Sequence, residues 1–345
     1  CVRGTEIAVD HKEEILGHPI ELVIEDSMCS AEGGQTATTK LVSDPSLVGI
    51  IGPNCSSAGV PASKIAADAN VLMISSSNTA PSLTAPGTHE KTYLRTCHND
   101  KIQGAVAAQF AFNEKGLKAA ATIHDGSVYA EQLAQVFAAT FKKLGGTVTS
   151  MEAVSPNDTD MRPVLTKIAT GKPDIIYYPI FIAEGGFITR QSKEISGLEK
   201  TVLMGADGMF SPDFYKAAGM AAVGMYHSSP DFGAFAGGYQ DFLKKHQKKY
   251  GEKPIAPFHG HAYDATMMIL TAIDKVAVKK GDNLVIGRKA LRDALLATAN
   301  MQGLTGKINC DQYGDCADPK IAVYQTSEEN VKKLVTPTKP YWKIY

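Results

Sequence analysis

The sequence predicts two doubly wound α/β lobes, and three of its features carry that prediction. The first is the stretch 48–79. An apolar run (48–51) breaks into Gly52-Pro53-Asn54-Cys55-Ser56-Ser57, a helical pattern covers 61–68, and a second apolar run (71–74) ends in Ser75-Ser76-Ser77-Asn78-Thr79. A strand, helix and strand of these lengths make a right-handed βαβ unit, so both polar tips emerge at the carboxyl edge of one parallel sheet. Open α/β sheets bind ligands at that edge. Second, short strands go on alternating with helices until about ten have accumulated, more than one such sheet usually holds. Third, the rhythm restarts at His98-Asn99-Asp100, and long helices dominate after Asp231, as expected of a chain that passes to a second lobe and returns. The expected boundaries are 1–98 and 230–312 for the first lobe, and 99–229 and 313–345 for the second. Three crossings, near 98–100, 228–232 and 311–318, would form a hinge.

In chain order, residues 2–14 have a helical pattern that stops before Gly17-His18-Pro19. An α/β lobe is expected to open on a strand, so the strand that precedes this helix is expected to be missing from the sequence. Residues 19–25 (PIELVIE) alternate as a strand, 31–42 read as a helix, and 91–95 as a strand after the βαβ unit. Beyond Asp100 the pattern gives a helix at 103–115, a strand at 119–124, and a helix at 129–144 closed by Gly145-Gly146. A strand at 148–154, a helix at 161–170 and a strand at 174–180 follow. Then come a helix at 184–192, short strands at 202–204 and 224–227, and a short helix at 214–218. Helices at 237–250, 261–279 and 287–299 precede a hairpin-like tail, with strands at 306–310 and 321–325 around the turn NCDQYGDC.

Composition narrows the function classes. With 35 basic and 36 acidic residues the chain has no strong field, so nucleic acid is not an expected partner. No apolar run approaches the roughly 20 residues that span a bilayer, and no charged-then-apolar leader opens the sequence. Six cysteines are present without C-x-x-C zinc spacing. Cys29 and Cys55 follow neighbouring predicted strands and would clip two tips together. Cys310 and Cys316 sit in one polar turn where local closure is sterically reasonable, which leaves Cys1 and Cys97 for each other. An even set of this kind points to an oxidising compartment, the alternative being buried reduced thiols in a cytosolic protein.

A search for enzyme chemistry returns little. The sequence has no nucleophile elbow, no phosphate-binding glycine loop, no H-E-x-x-H and no dinucleotide fingerprint. His259 and His261 lie two apart at a helix start, where they would face different directions, and no metal or cofactor is expected. His124-Asp125 reads as a strand-end polar pair rather than half of an acid–base couple. A binding site asks for less. Ser56, Ser77 and Thr79 offer hydroxyls beside helix N-termini that favour an anion. Asp207, in GADG at the end of a second-lobe strand, supplies the negative charge an ammonium needs, and Tyr129 and Phe181 supply aromatic walls. Each residue alone is as readily a cap, a turn former or a core aromatic. Together they converge on strand ends.

Six stretches, GIIGPNCSSAGVPAS, VLMISSSNTAPSLT, YLRTCHNDKIQG, HDGSVYAEQLAQVF, PDIIYYPIFIAEGGFITRQ and VLMGADG, give the chain a likeness over nearly its whole length. It resembles the type I periplasmic solute-binding proteins of branched-chain amino acid ABC transporters, the leucine/isoleucine/valine-binding group. The resemblance implies the type I periplasmic binding protein fold and a cleft that closes on a small amino acid or related carboxylate. It also implies a monomeric protein that partners an ABC permease and works in the periplasm or outside the cell, with a lipid anchor at the surface as an alternative placement. A ligand-sensing receptor domain of the same fold is the alternative function.

Carried over by residue, the resemblance places the ligand carboxylate on Ser56, Ser77 and Thr79, with Asn78 among the ligand-binding residues, and its ammonium on Asp207, where the best-known members have the longer Glu. Tyr129 and Phe181 match aromatic positions of the second lobe. Asn54 stands where aliphatic-specific members tend to be apolar. Cys29–Cys55 matches the family's first-lobe disulfide, and Cys1–Cys97 and Cys310–Cys316 would be bridges found in some relatives only.

Overall fold

The computed structural model describes residues 1–345. The chain divides into two compact units. Unit 1 comprises Cys1–Asn99, Ala234–Pro254 and Phe258–Pro319, and unit 2 comprises Asp100–Gly233, Ile255–Pro257 and Lys320–Tyr345.

Unit 1 is built on a parallel sheet of three strands, β1 (Gly49–Ile51), β2 (Leu72–Ser75) and β3 (Tyr93–Arg95), in that spatial order. The central strand is covered on both faces, with Leu72, Met73 and Ile74 at most 2% exposed, which is why it reads as an unbroken apolar run. Met268, Ile269, Leu291 and Leu295, from the helices His259–Val276 and Arg288–Leu296, join Leu72, Ile74 and Leu94 in the core. The helix between β1 and β2 starts at Ser56, ahead of the expected position 61, because Pro61 lies inside it rather than at its first turn. Ser30 caps the helix Ala31–Val42, its Oγ accepting the Gly33 N–H at 3.0 Å.

Two expected elements do not form. Of the strand expected at 19–25, only His18–Pro19 pairs, with Glu14–Ile15; Val23 and Ile24 beyond it are 56% and 58% exposed. The physical reason is the lack of a ladder partner. β1 is paired on one side only, by β2, and no strand lies against residues 20–27 to take up their backbone groups. The expected tail hairpin is also absent. Lys307–Ile308 pairs with Met301–Gln302 in unit 1, while the strand Ile321–Gln325 joins the sheet of unit 2. Ile321, Ala322, Val323 and Tyr324 are all at most 2% exposed, a degree of burial that a central place in a large sheet supplies and an isolated hairpin does not.

Unit 2 holds a sheet of seven strands: β4 (Ala119–His124), β5 (Thr147–Ala153), β6 (Ile175–Tyr177), β7 (Val202–Gly205), β8 (Tyr226–Pro230), β9 (Ile321–Gln325) and β10 (Trp342–Lys343). Their spatial order is β10-β9-β8-β7-β6-β4-β5, parallel from β5 to β8 and antiparallel at β9 and β10. The helix Val128–Lys143, capped by Ser127, lays Leu133, Phe137 and Phe141 onto this sheet, with the Phe137 ring stacked 4.4 Å from that of Tyr177. Offset stacking of this kind is worth about 1 kcal/mol beyond the area it buries.

The disulfides are Cys29–Cys55 and Cys310–Cys316. The expected Cys1–Cys97 bridge is not formed. Cys1 precedes the first helix and turns its Sγ toward the Ser77 hydroxyl at 3.8 Å, whereas Cys97 is buried just after β3. Alkylation of the denatured, unreduced protein should label Cys1 and Cys97 alone, and reduction should expose the other four cysteines; an unreduced protein that takes up no label would restore the third bridge.

Candidate functional site

In unit 1, the ends of β1 and β2 are stitched into one polar tip. Ser75 Oγ donates to the Pro53 carbonyl at 2.8 Å and accepts the N–H groups of Ser77 at 3.2 Å and Asn78 at 3.0 Å. Asn78 Nδ2 donates to the same carbonyl at 2.9 Å, and its Oδ1 accepts the Tyr93 hydroxyl at 3.3 Å. The Asn78 side chain is therefore part of the tip's scaffold. Ser77 Oγ donates to the Asn54 carbonyl at 2.8 Å, and Ser56 Oγ accepts the Ala80 N–H at 3.2 Å, leaving the Ser56 proton available to an acceptor. Asn54 is exposed, Ser77 partly so, and Ser56, Asn78 and Thr79 are buried. The sequence-derived tip residues thus come together, with the Cys29–Cys55 bridge anchoring the start of the helix that carries Ser56.

In unit 2, the candidate acid sits on a short 3-10 turn, Asp207–Met209, directly after β7. Its Oδ1 accepts Gln103 Nε2 at 2.7 Å and the Tyr129 hydroxyl at 3.0 Å. Tyr129 Oη also accepts the Gly208 N–H at 3.2 Å, so one phenol grips both the carboxylate and the backbone beside it. Gly208 is required there, because a Cβ would lie 2.8 Å from the Ile180 carbonyl and 3.2 Å from the Tyr129 ring. Phe181 packs on Tyr129 with ring centroids 5.5 Å apart. Gln103 further donates to the Ser228 carbonyl and hydroxyl, both at 3.1 Å, which ties β8 into the cluster.

Both protein donors fall on Oδ1, and no other residue donates to Oδ2. Burial outweighs these two donors and the backbone N–H of Asp207 itself, and pushes the Asp207 carboxyl up to about 6. Burial also raises the Tyr129 hydroxyl well above the usual phenol range, reinforced by the charges of Asp207 and Asp100. Tyr129 therefore stays a neutral donor wherever Asp207 titrates. Tyr129, Phe181 and Asp207 come together as the sequence suggests; Gln103, Ser228 and a nearby Asp100 were not anticipated. Gln103 is fully buried in the helix Asp100–Gln109, and no local pattern in the sequence marks it. Three other candidates are occupied locally: Gly126 N–H donates to His124 Nδ1, Ser127 N–H to Asp125, and His259 bonds the Tyr239 hydroxyl at 2.8 Å; His261 is buried with its Nδ1 unpartnered.

A family model described as "Periplasmic binding protein" matches residues 1–330. The chain is 28% identical over 332 residues to the Leu/Ile/Val-binding protein BraC3 of Rhizobium johnstonii, covering 93% of this chain and 85% of that protein. It is 29% identical over 323 residues to the leucine-, isoleucine-, valine-, threonine-, and alanine-binding protein of Pseudomonas aeruginosa, covering 92% and 82%. Among solved structures, the leucine-binding protein LivK of Thermotoga maritima is similar with a TM-score of 0.85 and 26% identity, covering 95% of this chain and 90% of that one. LivJ of Streptococcus pneumoniae, in complex with isoleucine, shares the fold with a TM-score of 0.80 and 24% identity, over 94% and 90%.

An acid whose pKa is higher folded than unfolded binds extra protons in the native state, so its contribution to stability falls as pH rises between about 4 and about 6. At neutral pH the ionised Asp207 should cost on the order of 3 kcal/mol. Asp207→Asn, which keeps an oxygen for Gln103 and Tyr129, should therefore raise the melting temperature at pH 7 and leave it nearly unchanged at pH 4. A lower melting temperature at pH 7 would contradict this reading of the carboxylate.

Proposed function

The chain belongs to the periplasmic binding protein family, a family of solute-binding proteins rather than enzymes, and on that premise we propose that it captures a small amino acid outside the cytoplasm and delivers it to an ABC transporter permease. The observation that carries the choice of ligand class is Asp207, a buried carboxylate braced on one oxygen and left with the other unpartnered. A lone negative charge in apolar surroundings is a poor structural element but a strong site for an ammonium group. The names of the relatives, binders of leucine, isoleucine, valine and in one case threonine and alanine, support the same class.

In this reading the ligand ammonium takes Oδ2 of Asp207, Tyr129 and Phe181 line the aromatic wall, and the unit 1 tip takes the carboxylate. Ser56, Ser77 and Thr79 contribute hydroxyls and backbone N–H groups there, Asn78 holds the tip's shape, and Asn54 lies at its exposed rim. The two disulfides suit an oxidising compartment, and no helix is long and apolar enough to cross a membrane.

A thermal-shift panel of L-leucine, L-isoleucine, L-valine, L-threonine and L-alanine should raise the melting temperature for at least one member, because binding to the native state alone stabilises it. Absence of any shift would count against the amino-acid reading. Asp207→Asn should abolish the shift while leaving the protein folded. Since the ammonium requires ionised Asp207, affinity in the parent should climb as pH rises through about 6 and then level off, and Asp207→Asn should lack that step. Calorimetric titration across pH 5 to 8 reads both.

A further inference from the structure

The amide nitrogen of Gln103, on the helix Asp100–Gln109, meets three acceptors. Nε2 donates to Oδ1 of Asp207 at 2.7 Å and to the carbonyl and hydroxyl oxygens of Ser228, both at 3.1 Å. A primary amide carries a pair of N–H bonds, so these acceptors take up its whole donating capacity. They also fix which way round the amide lies, because the reverse would set its oxygen against a carboxylate and a carbonyl.

Strand backbone anchors this amide. β7 and β8 pair as Met204 with Tyr226 and Gly205 with His227, so Ser228 lies one residue past the end of that ladder, and Gln103 takes up the carbonyl left there. On its other side Ser228 pairs with Val323 of β9. The N–H aimed at Asp207 is thus referred to the sheet. Tyr129 holds the same Oδ1 but also the Gly208 N–H, so it ties the acid to its own turn. The terminal torsion of an aspartate is broad when left to itself. Donors from two separate elements on Oδ1 narrow it and so set where Oδ2 points.

The brace is also neutral. A Lys at position 103 would give Asp207 a resident cation, and a Glu would set a second carboxylate against the first. Gln donates without doing either. We propose that Gln103 is a positioning residue for the ligand ammonium: it holds Oδ1 of Asp207 from the sheet and leaves Oδ2, with the whole charge, to the incoming cation. The proposal rests on the amino-acid reading above. The titratable groups around the cluster are Tyr129, Tyr177, His227 and Asp100. Burial raises both phenols well above their usual range and pushes the His227 ring down to about 3, so none of these three changes charge where Asp207 titrates. Asp100, on the helix that bears Gln103, acts on both phenols, and its signal is followed beside that of Asp207.

The test compares Gln103→Met, which keeps the length and loses the donor, with Gln103→Lys, which keeps a donor and adds the cation. The probe is whichever member of the five-amino-acid panel binds the parent most tightly, measured by calorimetry from pH 5 to 8. The Asp207 carboxyl carbon is titrated by NMR without ligand, its signal assigned by its loss in Asp207→Asn. In Gln103→Met the Asp207 midpoint should rise above the parent's value of about 6, and the pH at which affinity levels off should rise with it. Affinity at pH 8 should fall about tenfold or more, the scale of one charge-assisted hydrogen bond. In Gln103→Lys the midpoint should fall below the parent's, yet affinity should again drop about tenfold or more, because a cation already occupies the charge. A residue that only packs would not move the titration in opposite directions. A folded Gln103→Met with the parent's midpoint and affinity, or a folded Gln103→Lys that binds as tightly as the parent, overturns the proposal. Should neither variant fold, the parent decides: a side-chain N–H signal of Gln103 should titrate with Asp207 and shift on saturation with ligand, and a signal flat in both overturns the proposal. A parent that binds no member of the panel instead removes the amino-acid reading, and this inference with it.

Discussion

Removing an ion from water costs several kcal/mol unless the protein replaces its hydration, and the two units meet that demand differently beneath their strand ends. Arg95 in unit 1 has every nitrogen engaged, by two carbonyls, a hydroxyl and a carboxylate. Burial pushes the Asp315 carboxyl up, but the Arg95 guanidinium and the donors of Asn99 and Thr84 outweigh it and hold the group below the usual range. Asp207 in unit 2 has both its side-chain donors on one oxygen, and its carboxyl moves the other way. One charge is compensated and organises its surroundings; the other is left short of partners.

A raised pKa alone would not single out Asp207. Asp264 in unit 1 is also pushed up to about 6 by burial, although its two oxygens accept the N–H groups of Leu304 and Thr305 and the Thr305 hydroxyl. Both oxygens of Asp264, on the helix His259–Val276, are thus occupied by the loop at Leu304 and Thr305, and it serves to hold that loop. Asp207 differs in the vacancy at Oδ2 and in standing at a strand end, where a parallel sheet opens to ligand. The discriminating feature is an unmet hydrogen-bond capacity, and titration only reports the burial that makes it costly.

How much of this was legible in the sequence follows from the range of the interactions involved. The unit 1 tip was legible because its parts are near in sequence: Ser75 reaches Pro53 across 22 residues, through one βαβ unit whose periodicity is plain. Asp207 was legible because a carboxylate between glycines at a strand end is a local pattern. Gln103, 104 residues away from Asp207, and Asp315, 220 residues away from Arg95, were not, since no local spacing states which distant segments meet. The strand expected at 19–25 failed for a related reason: alternation records a preference for a pleated surface, while a ladder needs a partner that lies elsewhere in the chain. Cys1 and Cys97 were paired by elimination, and elimination carries no geometry.

The short side chain of Asp207 is held in place because the backbone beneath it is pinned. Tyr129 Oη takes the Gly208 N–H and gives its proton to Asp207, so the carboxylate and the turn that bears it are fixed by one atom. That arrangement needs the chain to pass close to the Ile180 carbonyl, which Gly208 permits and a side chain would prevent. Tyr129 in turn is held by the helix Val128–Lys143 and by the ring of Phe181. The position of the charge is thus set by the backbone and a buried phenol, not by rotamers of the acid itself. Lengthening Asp207 to Glu would carry the charge past the point where Tyr129 and Gln103 can brace it, so in this framework the reach of the acid and the grip of Tyr129 are one constraint.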